Sequence, residues 1–427
     1  MRWKDKMSRI ESLYKNRMVR AAVIFVLAAA AALSLYQGIG NALKFSQDFQ
    51  WDAAKALVSG MDPYEISMHP EKAGESPDLA EFYAMFTDRG LKQKMEANQF
   101  PSLLLLLAPM TVFPAQTAKV IWCIFNLIFT AGIIWLLKKT FFEDTPGFEF
   151  AAAVLVTIAG TPYRNQLGVG QHTLFACFFF MLAVWIDMSG SCGRQEGAAS
   201  EESFPGRGVL TALALFVSFF KYTLTGPLAL YFLYRKRYAP LALAVAGHVA
   251  VTAVCAARFG KGFIYMIKAP LEVASRLTAE GGIDLGVLLG GYAGYAAAFV
   301  IVILLIYIIL RRGPGHEKDV LAMLILWSLV LTYHRTYDFF VLSAAAMMFC
   351  GIRDEDRKAG RPVIIWYGVL IVLVYFVLRI FDENTPSKIC VGIVYYAFTV
   401  FVTYALMRRQ NPCTVTAGAG KKHDERR

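Results

Sequence analysis

Apolar runs recur from one end of the chain to the other, each closed by a short polar or charged stretch. A helix of about 20 apolar residues crosses the hydrocarbon of a bilayer. On apolar length the spans are expected at 19–40, 120–137, 148–161, 173–188, 209–220, 224–234, 241–257, 285–310, 320–332, 339–351, 363–380 and 389–407. The run 100–113 is apolar but short for a crossing, and Pro114 ends it, so it reads as a re-entrant or half helix. The one long polar stretch is 41–99, which follows the first span. Within it 52–59 and 79–95 read as short helices lying on the membrane.

Charge fixes the sides. If 100–113 does not cross, Lys138-Lys139, Arg194 with Arg207, Arg235-Lys236-Arg237, Arg311-Arg312, 353–361 and Arg408-Arg409 all fall inside. If it crosses, most of those clusters land outside, against the positive-inside rule. Twelve crossings with both termini cytoplasmic therefore fit best. The acidic stretch 41–99 then becomes a large external loop, and the polar residues that interrupt the later runs gather on the same outer side. The expected organisation is one transmembrane domain over 1–412, followed by a basic cytoplasmic tail at 413–427.

Composition narrows the class. Of 427 residues 57% are hydrophobic and 18% charged, against roughly 45–50% and a quarter in soluble domains. Mean hydropathy is +0.47. A soluble enzyme, a disordered chain and a nucleic-acid-binding protein are excluded. The net charge of +11 resides in short loops, so it reads as topology rather than as a nucleic-acid surface. The seven cysteines include no CxxC and no Cys/His cluster, so neither a zinc site nor a disulfide framework is expected. Ala28-Ala29-Ala30 imitates a signal-peptidase site, but the run and its basic leader are long, and an uncleaved first helix is the preferred reading.

Four interruptions carry candidate chemistry. Asp48 stands among Phe49 and Trp51 just after the first span. A carboxylate at that depth is partly desolvated and can approach the basicity of a general base. It can equally cap the helix that follows, and spacing alone leans to the cap. Asp52 is the rival carboxylate, while Asp62 reads as a turn residue before Pro63. Pro162, Gly168 and Gly170 break helix around Arg164, Gln171 and His172, whose side chains can donate to phosphate or sugar oxygens. An ordinary interhelical loop with Arg164 snorkelling is the alternative. Lys221 lies deep in apolar sequence, where a lysine is functional by default or else snorkels from a helix end. Tyr333-His334-Arg335-Thr336-Tyr337-Asp338 divides two apolar runs. His334 and Arg335 can neutralise a phosphate with Asp338 orienting either, or Arg335 and Asp338 simply satisfy each other. A carboxylate, several cations and a broken-helix cavity on one face suit removal of a group from a membrane-borne phosphate.

The same residues carry a resemblance. Asp48-Phe49 with Ala53-Ala54, Ala56-Leu57, Gly60 and Asp62-Pro63-Tyr64 resembles the opening motif of glycosyltransferase family 87. Phe100-Pro101, the leucines to Ala108-Pro109, Phe113-Pro114, Trp122 and Asn126 resemble its second motif. Leu167-Gly168 with Gly170-Gln171, then Lys221 with Thr223 and Pro227, then His334, continue the likeness in order. The resemblance implies an all-helical polytopic fold of GT-C type and transfer of a hexose, mannose in the first place, from a polyprenyl-phosphate donor. The acceptor would be a glycolipid or glycan at the outer face of the plasma (inner) membrane. It implies Asp48 as the catalytic base and His334 near the donor phosphate. Position and charge add Arg335, Lys221, Gln171 and His172 to the donor site. No metal or other cofactor is expected, because these cations can serve the leaving phosphate. A secondary transporter, a lipid-carrier oligosaccharide ligase and a non-catalytic scaffold of envelope assembly remain the alternatives. The transporter plan would show paired halves with matching broken helices.

Overall fold

The computed structural model describes residues 16–88, 90–189, 206–278, 282–350 and 385–408, and every regular element among them is a helix. The expected span 363–380, the basic stretch 353–361 and the expected tail 413–427 lie outside the described residues.

Helix α1, Arg17–Lys44, starts at Asn16, whose side chain accepts from the Met18 amide at 2.9 Å. Its buried positions are Ala31, Ser34, Gly38 and Ala42, a seam of small residues that lets neighbouring helices approach closely. Phe25, Leu33 and Tyr36 point outward and stay exposed, as side chains facing lipid do. The first loop then folds as α2 (Trp51–Val58), α3 (Pro63–Met68) and α4 (Pro77–Thr87). Asp62 caps α3 by accepting from the amides of Tyr64 and Glu65, with Pro63 in the first turn. Stacking of Trp51 on Phe82, with Phe86, Leu103 and Trp122 buried nearby, gives the loop its own apolar core. The second expected short helix ends at Thr87, and the chain from 91 to 99 has no regular secondary structure.

The apolar run 100–113 forms α5 (Pro101–Leu104) and a 3₁₀ stretch to Val112. The Gln99 carbonyl accepts from Tyr64, the Met110 carbonyl from Trp51 and the Leu43 carbonyl from Gln116. Both ends of the run thus lie against the first loop.

Next come α6 (Ala115–Phe141), α7 (Gly147–Ala159), α8 (Thr161–Gly168) and α9 (Thr173–Ser189). Helices α8 and α9 meet at 106° across Gly170, Gln171 and His172. Beyond them lie α10 (Gly206–Ser218), α11 (Tyr222–Leu228), α12 (Leu230–Tyr234), α13 (Tyr238–Arg258) and α14 (Phe263–Thr278). The chain continues through α15 (Leu285–Leu289), α16 (Gly291–Leu310), α17 (Glu317–Leu331), α18 (Leu342–Cys350) and α19 (Thr385–Arg408). Helix α17 is the central post, buried at every position from Val320 to Leu331. Tyr395 and Tyr396 of α19 hydrogen-bond its carbonyls at Leu326 and Val330.

Five helical runs among the described residues are long and apolar enough to cross a membrane, six if the bent α8–α9 pair counts as one. The protein is an all-helical membrane protein. One of the five, Gly206–Leu228, does not run straight. Thr225 Oγ1 donates at 2.8 Å to the Ser218 carbonyl, seven residues back, a separation that a straight helix holds far wider. Lys221 departs from helical backbone at φ −109°, ψ 61°. Arg235, at the end of α12, bonds Asp187 at the end of α9 and Glu317 at the start of α17. The chain therefore rises along α10, turns at Lys221 and descends through α11 and α12, as the runs 209–220 and 224–234 predict. Helix α14 is the reverse case, since its region was expected only as an outer loop.

Candidate active site

Asp48 occupies the turn between α1 and α2. Ser46 and Gln50, on either side of it, both adopt positive φ, 42° and 62°. Such backbone is costly for residues with a Cβ and persists where surrounding contacts dictate it. The contacts are at hand. The Asp48 amide donates to the Val169 carbonyl at 2.9 Å. Phe49 stacks on Trp122 at 5.0 Å, and Trp122 Nε1 donates to the Gly170 carbonyl at 2.8 Å. Gly170 itself has φ +70°, and a Cβ there would sit 2.9 Å from Ser46 Oγ. The broken α8–α9 corner thus grips the Asp48 turn, and only glycine fits at its tip. Gln50, not Asp48, is the N-cap residue of α2, which leaves the Asp48 carboxylate free of the capping role.

Opposite this turn stand the residues of the α10–α11 turn and of 332–341. Asp338 is fully buried and gathers Lys221 Nζ at 3.4 Å, His334 Nδ1 at 2.8 Å and the Thr173 hydroxyl. Arg335 is bonded through Nε to the Tyr333 hydroxyl at 2.9 Å. Gln171 Nε2 donates to the Tyr337 hydroxyl at 2.8 Å and reaches Asp48 at 3.4 Å. Asp338 therefore anchors Lys221 rather than Arg335, and the expected Arg335–Asp338 pair is not formed.

Between the two sides lies a polar cleft of about 870 Å³, including its opening to solvent. Asp48, Gln171, Lys221, Arg335 and Tyr337 line it, together with Asp52 and, from the irregular stretch after α4, Gln93, Glu96, Asn98 and Gln99. Burial pushes the Asp48 carboxyl above its ordinary pKa, against the opposing pull of Arg335, Lys221 and the Tyr337 hydroxyl. Asp52 is also raised by burial, and the Tyr83 hydroxyl bonds it at 2.6 Å. Tyr222 borders both this cleft and an apolar groove lined by Phe100, Leu103, Leu230, Val249, Phe263 and Ile267.

The structure thus brings Asp48, Gln171, Lys221 and Arg335 to one cleft. His172 also borders the cleft, but its ring is held in the protein: it has no exposure, Nε2 is at 2.8 Å from the Phe49 carbonyl and the ring lies tilted against Phe220 at 4.3 Å. His334 is buried between Asp338 and the Thr332 hydroxyl and does not line the cleft. Arg164 bonds Gln37 on α1 and stays outside the cleft. Sequence reasoning gave Tyr337 and Thr173 no role of their own and passed over Tyr83; tyrosine and threonine next to apolar runs give no charge signal. Among the described residues no three His, Cys, Asp or Glu side chains are grouped as a metal site would need.

A helical membrane protein whose polar cleft sets a carboxylate against fixed cations has the form of a membrane-borne group-transfer enzyme. The chain belongs to glycosyltransferase family 87, whose model matches residues 101–333, more than half of its length. It is a glycosyltransferase, with a sugar donor and an acceptor as its substrates. The match includes Gln171 and Lys221, while Asp48 precedes it and Arg335 follows it. No curated protein and no solved structure matches the chain.

Proposed function

We propose that the enzyme moves a hexose, mannose in the first place, from a polyprenyl-phosphate donor to a glycolipid or glycan acceptor. The observation that carries this reading is the placement of Asp48 in the same cleft as Lys221 and Arg335. Asp48 takes the proton of the acceptor hydroxyl as that oxygen attacks the anomeric carbon. The bond from that carbon to the phosphate oxygen breaks, and the electron pair leaves with the lipid phosphate. A single displacement inverts the anomeric centre. Lys221 and Arg335 hold the departing phosphate, whose growing charge they stabilise in a partly dry site. Gln171 orients Asp48; Asp338 and His334 hold Lys221 in place; His172 fixes the backbone at Phe49. With those cations in place, no step as written calls for a metal. The apolar groove beyond Tyr222 suits the polyprenyl tail, since one end of it opens beside the cationic residues.

The reading includes a topology of twelve crossings, with both termini cytoplasmic and the cleft at the extracytoplasmic face of the plasma membrane. Charge distribution supports it. Lys138-Lys139, Arg235-Lys236-Arg237 and Arg311-Arg312 close helices at the end remote from Asp48. The acidic first loop shares the Asp48 side.

Transfer of label from polyprenyl-phosphate mannose, and then polyprenyl-phosphate glucose, into total membrane lipid tests the proposal. Membranes carrying the wild type should yield a labelled product that is lost with Asp48→Asn. Label that persists in the variant moves the base elsewhere, with Asp52 next in line. No transfer from either donor overturns the donor assignment.

A further inference from the structure

The cleft is chemically two-sided. Its Lys and Arg residues, Lys221 and Arg335, stand together on the side of Tyr333 and Tyr337. The other side is built from Gln50, Asp52 and the irregular stretch bearing Gln93, Glu96, Asn98 and Gln99, with no lysine or arginine among these lining residues. This second wall offers hydrogen-bond acceptors. Gln50 Nε2 donates to the Glu96 carbonyl at 2.8 Å, which fixes the amide and leaves Oε1 buried without a donor. Gln99, 6% exposed, likewise has a buried Oε1 without a donor. Asp52 and Glu96 add carboxylates. Buried acceptors are ordinarily satisfied, so two orphaned ones on one wall of a cleft call for donors from whatever fills it. Carboxylate or phosphate oxygens cannot supply them and would meet Asp52 and Glu96 besides.

We infer that this wall is the acceptor subsite and that it selects a neutral, hydroxyl-rich sugar end, discriminating against acceptors with a carboxylate or phosphate beside the reacting hydroxyl. The inference rests on the transferase reading above and deepens it. Sugar hydroxyls donate to Gln50 Oε1 and Gln99 Oε1, and Gln50 lies two residues from Asp48, so the bound sugar is presented next to the base. The opposing cations remain for the donor phosphate.

Binding without donor tests this directly. The detergent-purified full chain is titrated with nitrophenyl glucoside and nitrophenyl glucuronide, which differ at one carbon, and affinities are read by saturation-transfer NMR. The glucuronide should bind at least about tenfold more weakly. Gln50→Leu and Gln99→Leu should each weaken the glucoside by about fivefold to tenfold, the worth of one ordinary hydrogen bond. Gln99→Glu keeps an acceptor at that point. It should hold the glucoside within about twofold while weakening the glucuronide further. Equal binding of the two glycosides by the wild type, absence of glucoside binding, or unchanged affinity in both leucine variants overturns the inference. Should a leucine variant fail to fold, the wild-type comparison still decides. Glucoside binding with no transfer of label from either polyprenyl-phosphate donor would leave this subsite standing while the donor assignment falls.

Discussion

Asp48 is where residue-scale physics speaks most clearly. Its folded-state pKa is raised, first by burial, so the folded protein binds a proton there more readily than the unfolded chain. The stability this gives is present at low pH and is lost as pH rises through the raised pKa, because ionised Asp48 is held in a poorly solvated place. Two outcomes follow for one substitution. Asp48→Asn should lower the transfer rate by about 10²–10⁴, the range for losing a general base. It should leave the thermal midpoint unchanged or higher, which a melting curve checks. The acidic limb of kcat/KM should also lie above the usual carboxylate range, since the base must be ionised. Arg335 pulls the Asp48 pKa down. Removing that charge with Arg335→Gln should move the limb to still higher pH, a shift that separates an electrostatic role from a merely structural one. Asp338 is the opposite kind of carboxylate. It is fully buried and holds Lys221, His334 and Thr173. Asp338→Ala strands the Lys221 ammonium and should cost about 3–5 kcal/mol of stability, read from denaturation. Asp48, Lys221 and Arg335 were legible in the sequence because charge inside apolar runs is costly and conspicuous. The placement of His334 behind Asp338 was not legible, because a ligand-facing residue and the support of one leave the same mark in sequence.

At the scale of elements, broken helices do the positioning. The α8–α9 corner puts the Val169 and Gly170 carbonyls against the Asp48 turn and Trp122. The α10–α11 turn delivers Lys221 to Asp338. Gly170→Ala adds a Cβ at φ +70° in contact with Ser46 Oγ. The strain should cost about 1–3 kcal/mol and displace Asp48, lowering kcat more than it raises the donor KM; kinetics beside a melting curve distinguish this from simple unfolding. Pro162, Gly168 and Gly170 announced the first break, and Lys221 between two apolar runs announced the second. The shortness of the helical run at 100–113 was legible by length alone. Helix α14 was not, because Lys268, Glu272 and Arg276 interrupt its apolar residues and hide it from any search for continuous hydrophobic runs. Its Ala274 lines the polar cleft while Phe263 and Ile267 line the apolar groove. This helix thus borders both compartments.

For the molecule as a whole, the distribution of charge and the direction of the helices make one argument. Arg235 and Arg237 pair with Asp187, and Arg235 also with Glu317, which ties the ends of α9 and α12 to the start of α17 at the pole remote from Asp48. Lys138 closes the end of α6 there by donating to the carbonyls of Phe142, Glu143 and Thr145. Arg17 and Arg20 begin α1 at this pole, and Arg20 lies over Phe148. The other pole carries the acidic first loop and the cleft. The orientation proposed above from the positive-inside rule would put the cleft outside, and the proposed polyprenyl donor would then enter from the membrane through the groove beside Tyr222. The consequence is measurable in whole cells. In a variant stripped of its own cysteines, Gln93→Cys at the cleft mouth should be labelled by a membrane-impermeant maleimide added outside, whereas Lys139→Cys at the end of α6 should be labelled only after permeabilisation. The reverse pattern would put the catalytic carboxylate on the cytoplasmic side and would favour a donor available there. Labelling of both from outside would break the through-membrane path of α6 and with it the separation of basic pole from acidic pole on which the orientation rests.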